Sequence, residues 1–480
     1  MQQAGDSSAD DGLADAIALG EAVREGRTTA SALMRDSLYR ARNDKLGAIA
    51  FLDEEMGLSA AAAFDKLVAD GAADTNTMPF AGVPFLAKGL GNAGKGLPAH
   101  AGSKAIGVRV GKPERDSLIF ERFRRAGLLP FGVTSCPSFG LSVTSEPTED
   151  PVARNPWNPE YSPGGSSSGA AAAVASGIVA IAHATDAAGS IRIPAACCGL
   201  PALKPSRGLV PNAPEFSNHL MGITGELVIA RSIRDINAAL FAVSGHAKGP
   251  YGDQSLTGGP VRGLRIALVD TAPGDLGEEQ ADAIRSAEPI LASHGHAIVD
   301  IETAKLDSIV ERTDAIARMF LSISEANWID SLGIGDDELH PAVAENAAQG
   351  RKRTAAELFR ADSEAARLAH ECWRIFENVD VIAMPVLDRA PIKIGQTAET
   401  HADADRTWAF MGRYAPRATL ANVCGLPAMV IPRGLDHAGL PLSLQLIGPI
   451  GSDLLLLHIA HQLEDDAPWP FLASIAGGLN

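Results

Sequence analysis

Residues 161–205 read YSPGGSSSGAAAAVASGIVAIAHATDAAGSIRIPAACCGLPALKP, from Tyr161 to Pro205. No Asp, Glu, Lys or Arg stands between Glu160 and Asp186. Solvated surface normally carries charge, so a segment this poor in charge and this rich in Gly, Ala and Ser must be buried. Its polar start and its glycines exclude a membrane span. The hydroxyls of Ser166 and Ser190 are therefore interior. Each serine follows a glycine, which allows close backbone approach.

Outward from these serines the residues form an ordered set. Gly164-Gly165-Ser166-Ser167 comes first, then Asp186 and Gly189-Ser190-Ile191-Arg192, then Pro194-Ala195, Gly199 and Lys204-Pro205. Upstream, Gly82-Val83-Pro84-Phe85-Leu86-Ala87-Lys88 places a lysine shortly after a Gly-Val-Pro. Together these motifs resemble the amidase signature family, whose members hydrolyse amides with a Ser–Ser–Lys triad. Three ordered motifs over about a hundred residues are a specific signal, whereas any one alone is not.

The resemblance implies an α/β fold: a single amidase-signature-like domain with a central twisted mixed sheet covered by helices on both faces. That domain would span residues 11–475, after a disordered tail at 1–10, with a substrate-shaping variable region at about 250–420. The pattern read from the residues agrees in class. Apolar runs at 78–89, 128–140, 226–230, 263–270, 296–302 and 379–386 read as strands. Helical spacing recurs from Leu13 to Val23, after Thr28-Thr29, at 56–69, 117–126, 167–180, after Ser232, and at 278–294. Residues 307–376 read as mostly helical, with breaks at Gly333-Ile334-Gly335 and Gly350. A surface loop is expected over 393–406, closing apolar segments at 420–432 and 440–448, and a last helix at 452–464. Alternation of helix and strand argues for parallel strands covered on both sides.

The chain has 480 residues, with 46% hydrophobic and 21% charged, enough for a large core. A net charge of -17 argues against nucleic acid or an anionic membrane as the main partner. Five cysteines, two of them adjacent, argue against a disulfide framework and for free buried thiols. The acidic start, MQQAGDSSADDG, lacks the pattern of a signal peptide, so a reducing cytoplasm is expected.

An amide carbonyl is a poor electrophile and a hydroxyl a poor nucleophile at neutral pH, so hydrolysis needs an activated serine, a base and oxyanion donors. The resemblance implies Ser190 as nucleophile, Ser166 as relay and Lys88 as base. A lysine acts as a base only when neutral, and burial lowers its pKa. The turn Ala187, Ala188, Gly189 and Ser190 offers consecutive backbone N–H groups suited to an oxyanion. Ser167 is the natural neighbouring donor, and Asp186 and Arg192 brace the loop. Phe139 and Thr185 align with positions bordering the site in the family, and Leu220 and Met221, with Phe216 and His219, are placed to line an acyl pocket. Two departures stand out. Gly89 follows the lysine where many relatives carry Asp, and Ala188 stands where they usually carry Gly.

The expected activity is cleavage of C–N bonds, other than peptide bonds, in small-molecule amides or carbamates (urethanes), through an acyl- or carbamoyl-enzyme. Apolar residues at Met319, Phe320, Trp328, Phe359 and Trp373 suggest an apolar or aromatic substrate. No cofactor, no metal, no nucleic acid and no membrane partner are expected, with a homodimer left open. One alternative is an amidotransferase A-type subunit working with partner proteins. Another is an α/β-hydrolase-type esterase, because Gly165–Gly169 matches G-x-S-x-G around Ser167. That esterase would require a strand before the motif and a downstream His such as His219 or His401. The match of Gly89–Gly94 to G-x-G-x-x-G lacks a following apolar helix, which weakens a dinucleotide-binding reading.

Overall fold

Strands form where short runs of apolar and β-branched residues can be covered on the faces of a sheet. In this computed structural model, residues 14–91, 93–147, 151–211, 219–245, 261–397 and 403–473 are described. The expected tail at 1–10, Phe216 and His401 lie outside them. Among the described residues the strands are β1 (Ile49–Leu52), β2 (Val83–Lys88), β3 (Leu128–Thr134), β4 (Ile181–Asp186), β5 (Ala202–Lys204), β6 (Gly225–Ala230), β7 (Arg265–Leu268), β8 (Ala297–Val299), β9 (Val381–Pro385), β10 (Ala428–Leu435) and β11 (Pro441–Ile447).

All eleven join one sheet in the order β1-β3-β2-β4-β6-β5-β10-β11-β9-β7-β8. The periodicity-based expectation of parallel strands is corrected. β2 pairs parallel with β3 and β4, and β7 with β8 and β9. Between these ends, β4·β6, β6·β5, β5·β10, β10·β11 and β11·β9 are antiparallel, and β1 closes the other edge antiparallel to β3. The sheet is mixed, a single-domain α/β architecture with helices around it. Both pairing types give buried strands when both faces are covered, so an apolar run does not reveal direction.

The uncharged stretch owes its composition to the helix Ser168–Ala175, all eight residues of which are buried. Small side chains let it run against the sheet. A Cβ on Gly169 would sit 2.3 Å from the Ala48 carbonyl oxygen. The helix is shorter than expected: Gly177 turns with φ 87°, and residues 178–180 connect it to the start of β4 at Ile181. Periodicity cannot separate a buried helix from a buried strand over so short a run. The expected helix 278–294 is also two helices, Glu278–Arg285 and Glu288–Ser293, with Pro289 in the first turn of the second. Proline has no N–H to continue the upstream ladder.

Other local signals hold. Thr29 caps Ala30–Arg42 through Ala32 N–H, and Ser232 caps Ile233–Val243 through Asp235 N–H. Helices Thr303–Ser331, Pro341–Arg351 and Ala355–Ile375 follow in the stretch expected to be mostly helical, broken near Gly333-Ile334-Gly335 as expected. The break expected at Gly350 falls just after it, where Pro341–Arg351 ends and Ala355–Ile375 begins, and its bare Cα lets the first of these helices press on Ser322, whose carbonyl oxygen a Cβ would approach to 2.0 Å. The expected loop 393–406 gives way at Ala404 to a helix, Ala404–Tyr414.

Candidate active site

Three strand ends make the site. β2 and β4 run parallel, so their C-terminal ends share one edge of the sheet, where open α/β sheets place ligands. β2 ends on Lys88 and β4 on Thr185-Asp186. β6 starts at that edge, which sets Glu226 opposite Thr185. A cavity of about 2050 Å³ opens above it. Gly89, Ser166, Thr185, Ala187, Ala188 and Ser190 line its floor.

Lys88 is wholly buried. Its Nζ lies 2.8 Å from Ser166 Oγ, 2.9 Å from Thr185 Oγ1 and 3.3 Å from the Thr185 carbonyl oxygen. Burial drives its pKa down from 10.5 to about 8, with the carboxylates of Asp186 and Glu226 opposing the fall. Ser166 is 2% exposed and follows a cis Gly165–Ser166 bond. A Cβ on Gly165 would meet the Ser142 and Thr144 carbonyl oxygens at 2.5 and 2.8 Å, so only glycine fits there. Ser190 is half-buried and open to the cavity, unlike the fully buried Ser167. Ser167 donates from its amide to the Ser190 carbonyl at 3.2 Å and from Oγ to the Thr185 carbonyl at 3.4 Å, tying the two serine segments together.

Asp186 organises the turn that presents Ser190. Its carboxylate accepts from the amides of Gly189 (2.7 Å), Ile191 (3.2 Å) and Arg192 (3.4 Å). Arg192 grips it through Nε at 2.9 Å and Nη2 at 3.1 Å. That guanidinium, with Lys204 and Asn422, outweighs burial and holds the carboxyl far below the usual carboxylate range. Asn422 Nδ2 reaches both the Asp186 carbonyl and its Oδ1, at 2.8 and 2.9 Å, and Gln445 Oε1 accepts from Arg192 Nη1 at 3.2 Å. The expected brace is thus present, and larger than the motif suggested. The expectation of four free amides is corrected, because Gly189 N–H is taken by Asp186. Ala188 tolerates its Cβ because only Gly189, at φ 104°, takes the left-handed conformation in this turn.

His183 and Glu226 were not singled out from the sequence. The Lys88 amide donates to His183 Nδ1 at 3.2 Å, which leaves the ring proton on Nε2, 2.8 Å from Glu226 Oε1. Both side chains are buried. The visible signal was a histidine inside the strand IAHATD and a lone glutamate in the strand GELVIA, and only the strand pairing brings them together. Gly89 also gains a reason. A Cβ there would lie 2.6 Å from His100 Nε2, so His100 fills the space that a larger residue after the lysine would need.

Phe139, Thr185, Leu220 and Met221 all reach the cavity. Phe139, Leu220 and Met221 hold φ of 54°, 51° and 56°, conformations that cost energy for non-glycine residues and cluster at functional sites. Phe139 meets Trp328 edge-on at 5.4 Å. Met319 and Phe320 line the same wall, but Phe359 and Trp373 do not: they are 77% and 54% exposed on the outer surface. The G-x-S-x-G segment follows turns rather than a strand, which removes the geometry an elbow needs. No helix opens on the Gly89–Gly94 segment either. The next one, Lys104–Val110, starts ten residues on.

The family model described as Amidase matches residues 32–457. The chain belongs to the amidase signature family. As an amidase it is a hydrolase of amide C–N bonds. It is 31% identical over 490 aligned residues to a 6-aminohexanoate-cyclic-dimer hydrolase of Pseudomonas sp. (strain NK87), covering 95% of each chain. It is equally 31% identical to the putative amidase AmiC of Mycobacterium tuberculosis (strain ATCC 25618 / H37Rv), over 96% of each. Among solved structures, a 6-aminohexanoate cyclic dimer hydrolase complexed with substrate superposes on this amidase with a TM-score of 0.84 at 28% identity, covering 98% of this chain and 100% of that one. A bacterial aryl acylamidase shares the fold at the same TM-score and 23% identity, over 97% and 99%. No described helix of the amidase is long and apolar enough to cross a membrane.

Proposed function

We propose that the protein hydrolyses small-molecule amides, and by the same route carbamates, through a covalent intermediate on Ser190. The observation that carries this reading is a buried lysine amine, its pKa lowered to about 8, standing 2.8 Å from a serine hydroxyl beneath a second, accessible serine. A neutral amine has two N–H groups and one lone pair. Thr185 Oγ1 and the Thr185 carbonyl oxygen accept the two N–H bonds, which directs the lone pair at Ser166. Ser166 O–H then donates to Lys88, and Ser166 Oγ accepts the proton of Ser190.

Ser190 Oγ attacks the carbonyl carbon as its proton passes through Ser166 to Lys88. The amides of Ala187, Ala188 and Ser190 are the donors available to the oxyanion, since Gly189 N–H already serves Asp186. Collapse expels the amine, which takes the proton back from Lys88 through Ser166. Water then enters, loses a proton by the same path, and releases the acid. A carbamate follows these steps with a carbamoyl group on Ser190.

The cavity is large enough for a drug-sized or larger molecule, since typical ligand sites measure about 300–1,000 Å³. The printed name of a 6-aminohexanoate-cyclic-dimer hydrolase among the relatives makes cyclic aliphatic amides the first substrates to test. Turnover of a cyclic diamide, an anilide, a carbamate and an ester should be compared in wild type, Ser190→Ala and Lys88→Ala. Loss of at least a thousandfold in kcat in both variants is expected. Turnover that survives Ser190→Ala would overturn the assignment. A wild type inert on every substrate would point to a subunit that works only with partners.

A further inference from the structure

The cavity contains a second built polar position, remote from the serines. Glu325 lies on the helix Thr303–Ser331 and is 8% exposed. Asn346 Nδ2 donates to its Oε2 at 2.6 Å, and Asn346 Oδ1 accepts in turn from Trp408 Nε1 at 3.0 Å. Side chains from three helices of the variable region, Thr303–Ser331, Pro341–Arg351 and Ala404–Tyr414, therefore converge to fix one carboxyl group. Among the described residues no cation pairs with Glu325 and none donates a hydrogen bond to its Oε1. Glu325 itself lines the cavity that Ser166 and Ser190 line. Burial without a counter-charge pushes the carboxyl up to about 8.

A buried carboxylate is costly unless something pairs with it. The surroundings say what kind of partner fits. Trp328, one helical turn from Glu325, and Phe139 meet edge-on beside it, and Trp408 completes an aromatic wall on the cavity. Aromatic faces attract organic cations. The same helix presents Glu311 and Asp314 to the cavity, while its Arg318 is occupied by Gln349 and Asp405. The remaining basic residues of the lining, Lys352, Arg353 and Arg413, stand at its exposed rim.

We propose that Glu325, with the Trp328–Phe139–Trp408 wall, binds an alkylammonium group carried by the substrate at the end remote from the scissile bond. The preferred substrates are then amides of amino-terminated chains, and Glu325 is the residue that selects them. This rests on the cavity being the reaction site proposed above.

Two anilides with the same scissile bond test it, one ending its acyl chain in a primary ammonium and the other in a methyl group. Wild type should favour the ammonium substrate at least tenfold in kcat/KM, mainly through KM. Glu325→Gln keeps the acceptor for Asn346 and should erase that ratio. In parallel, calorimetry on the wild-type protein should show hexylammonium binding at least tenfold tighter than 1-hexanol. Equal use of the two anilides by wild type, a ratio that persists in Glu325→Gln, or equal binding of hexanol would each overturn the proposal. Failure of both anilides to turn over would count against the reaction mechanism, while the calorimetric arm still decides the ammonium position.

Discussion

Lys88 in its neutral form meets three polar atoms, two on Thr185 and one on Ser166, and its ionisation decides which way protons move among them. Because its pKa is lowered to about 8, the neutral fraction grows as pH rises through that value. Log kcat/KM should therefore climb with unit slope below about pH 8 and level off above it. Glu226 and Asp186 are negative charges that hold this pKa up. Glu226→Gln removes one charge but keeps an acceptor for His183, so the rising limb should move to lower pH. A pH–rate profile that stays in place or moves upward would contradict that role. The lysine and both serines were legible because the motif fixes their spacing. His183 and Glu226, 43 positions apart, and Asn422, 236 from Asp186, were not, because their partnerships exist only through strand pairing and the closing segment.

At the scale of elements, the ends of β2 and β4 place the chemistry, and two features keep them in place. Gly89 leaves room for His100, so Gly89→Ala should destabilise by about 1–3 kcal/mol through overpacking. His100→Ala in the same chain should recover part of that loss, read from urea midpoints. The turn after β4 depends on the Asp186–Arg192 pair, both fully buried. Arg192→Met would leave Asp186 without its cation and should cost roughly 3–5 kcal/mol in the same titration. A loss under about 1 kcal/mol would mean that Asn422 and Lys204 suffice. Element boundaries were less legible than element types. Apolar composition alone does not place the helix end before Gly177, and in 278–294 Pro289 divides one apolar pattern into two helices.

At the scale of the molecule, one mixed sheet carries both the strands that end at Lys88 and Asp186 and the strands that flank the helices lining the cavity. Strand order was not readable from the chain, since neighbours such as β5 and β10 are separated by more than two hundred residues. The cysteine reading does extend to the whole fold. All five thiols are free and buried, and burial pushes Cys197 up to about 12. Native protein should show no thiol reactive toward a disulfide reagent at pH 8, and five should appear after denaturation. Reaction of any thiol in the native state would mean that the core around the site opens.

The most direct test of the central claim is mass spectrometry of the protein after reaction with a fluorophosphonate, followed by peptide mapping. A single adduct on Ser190 is expected, absent in Ser190→Ala and formed at least a hundredfold more slowly in Lys88→Ala. An adduct on Ser166 or Ser167, or labelling that proceeds unchanged without Lys88, would contradict it.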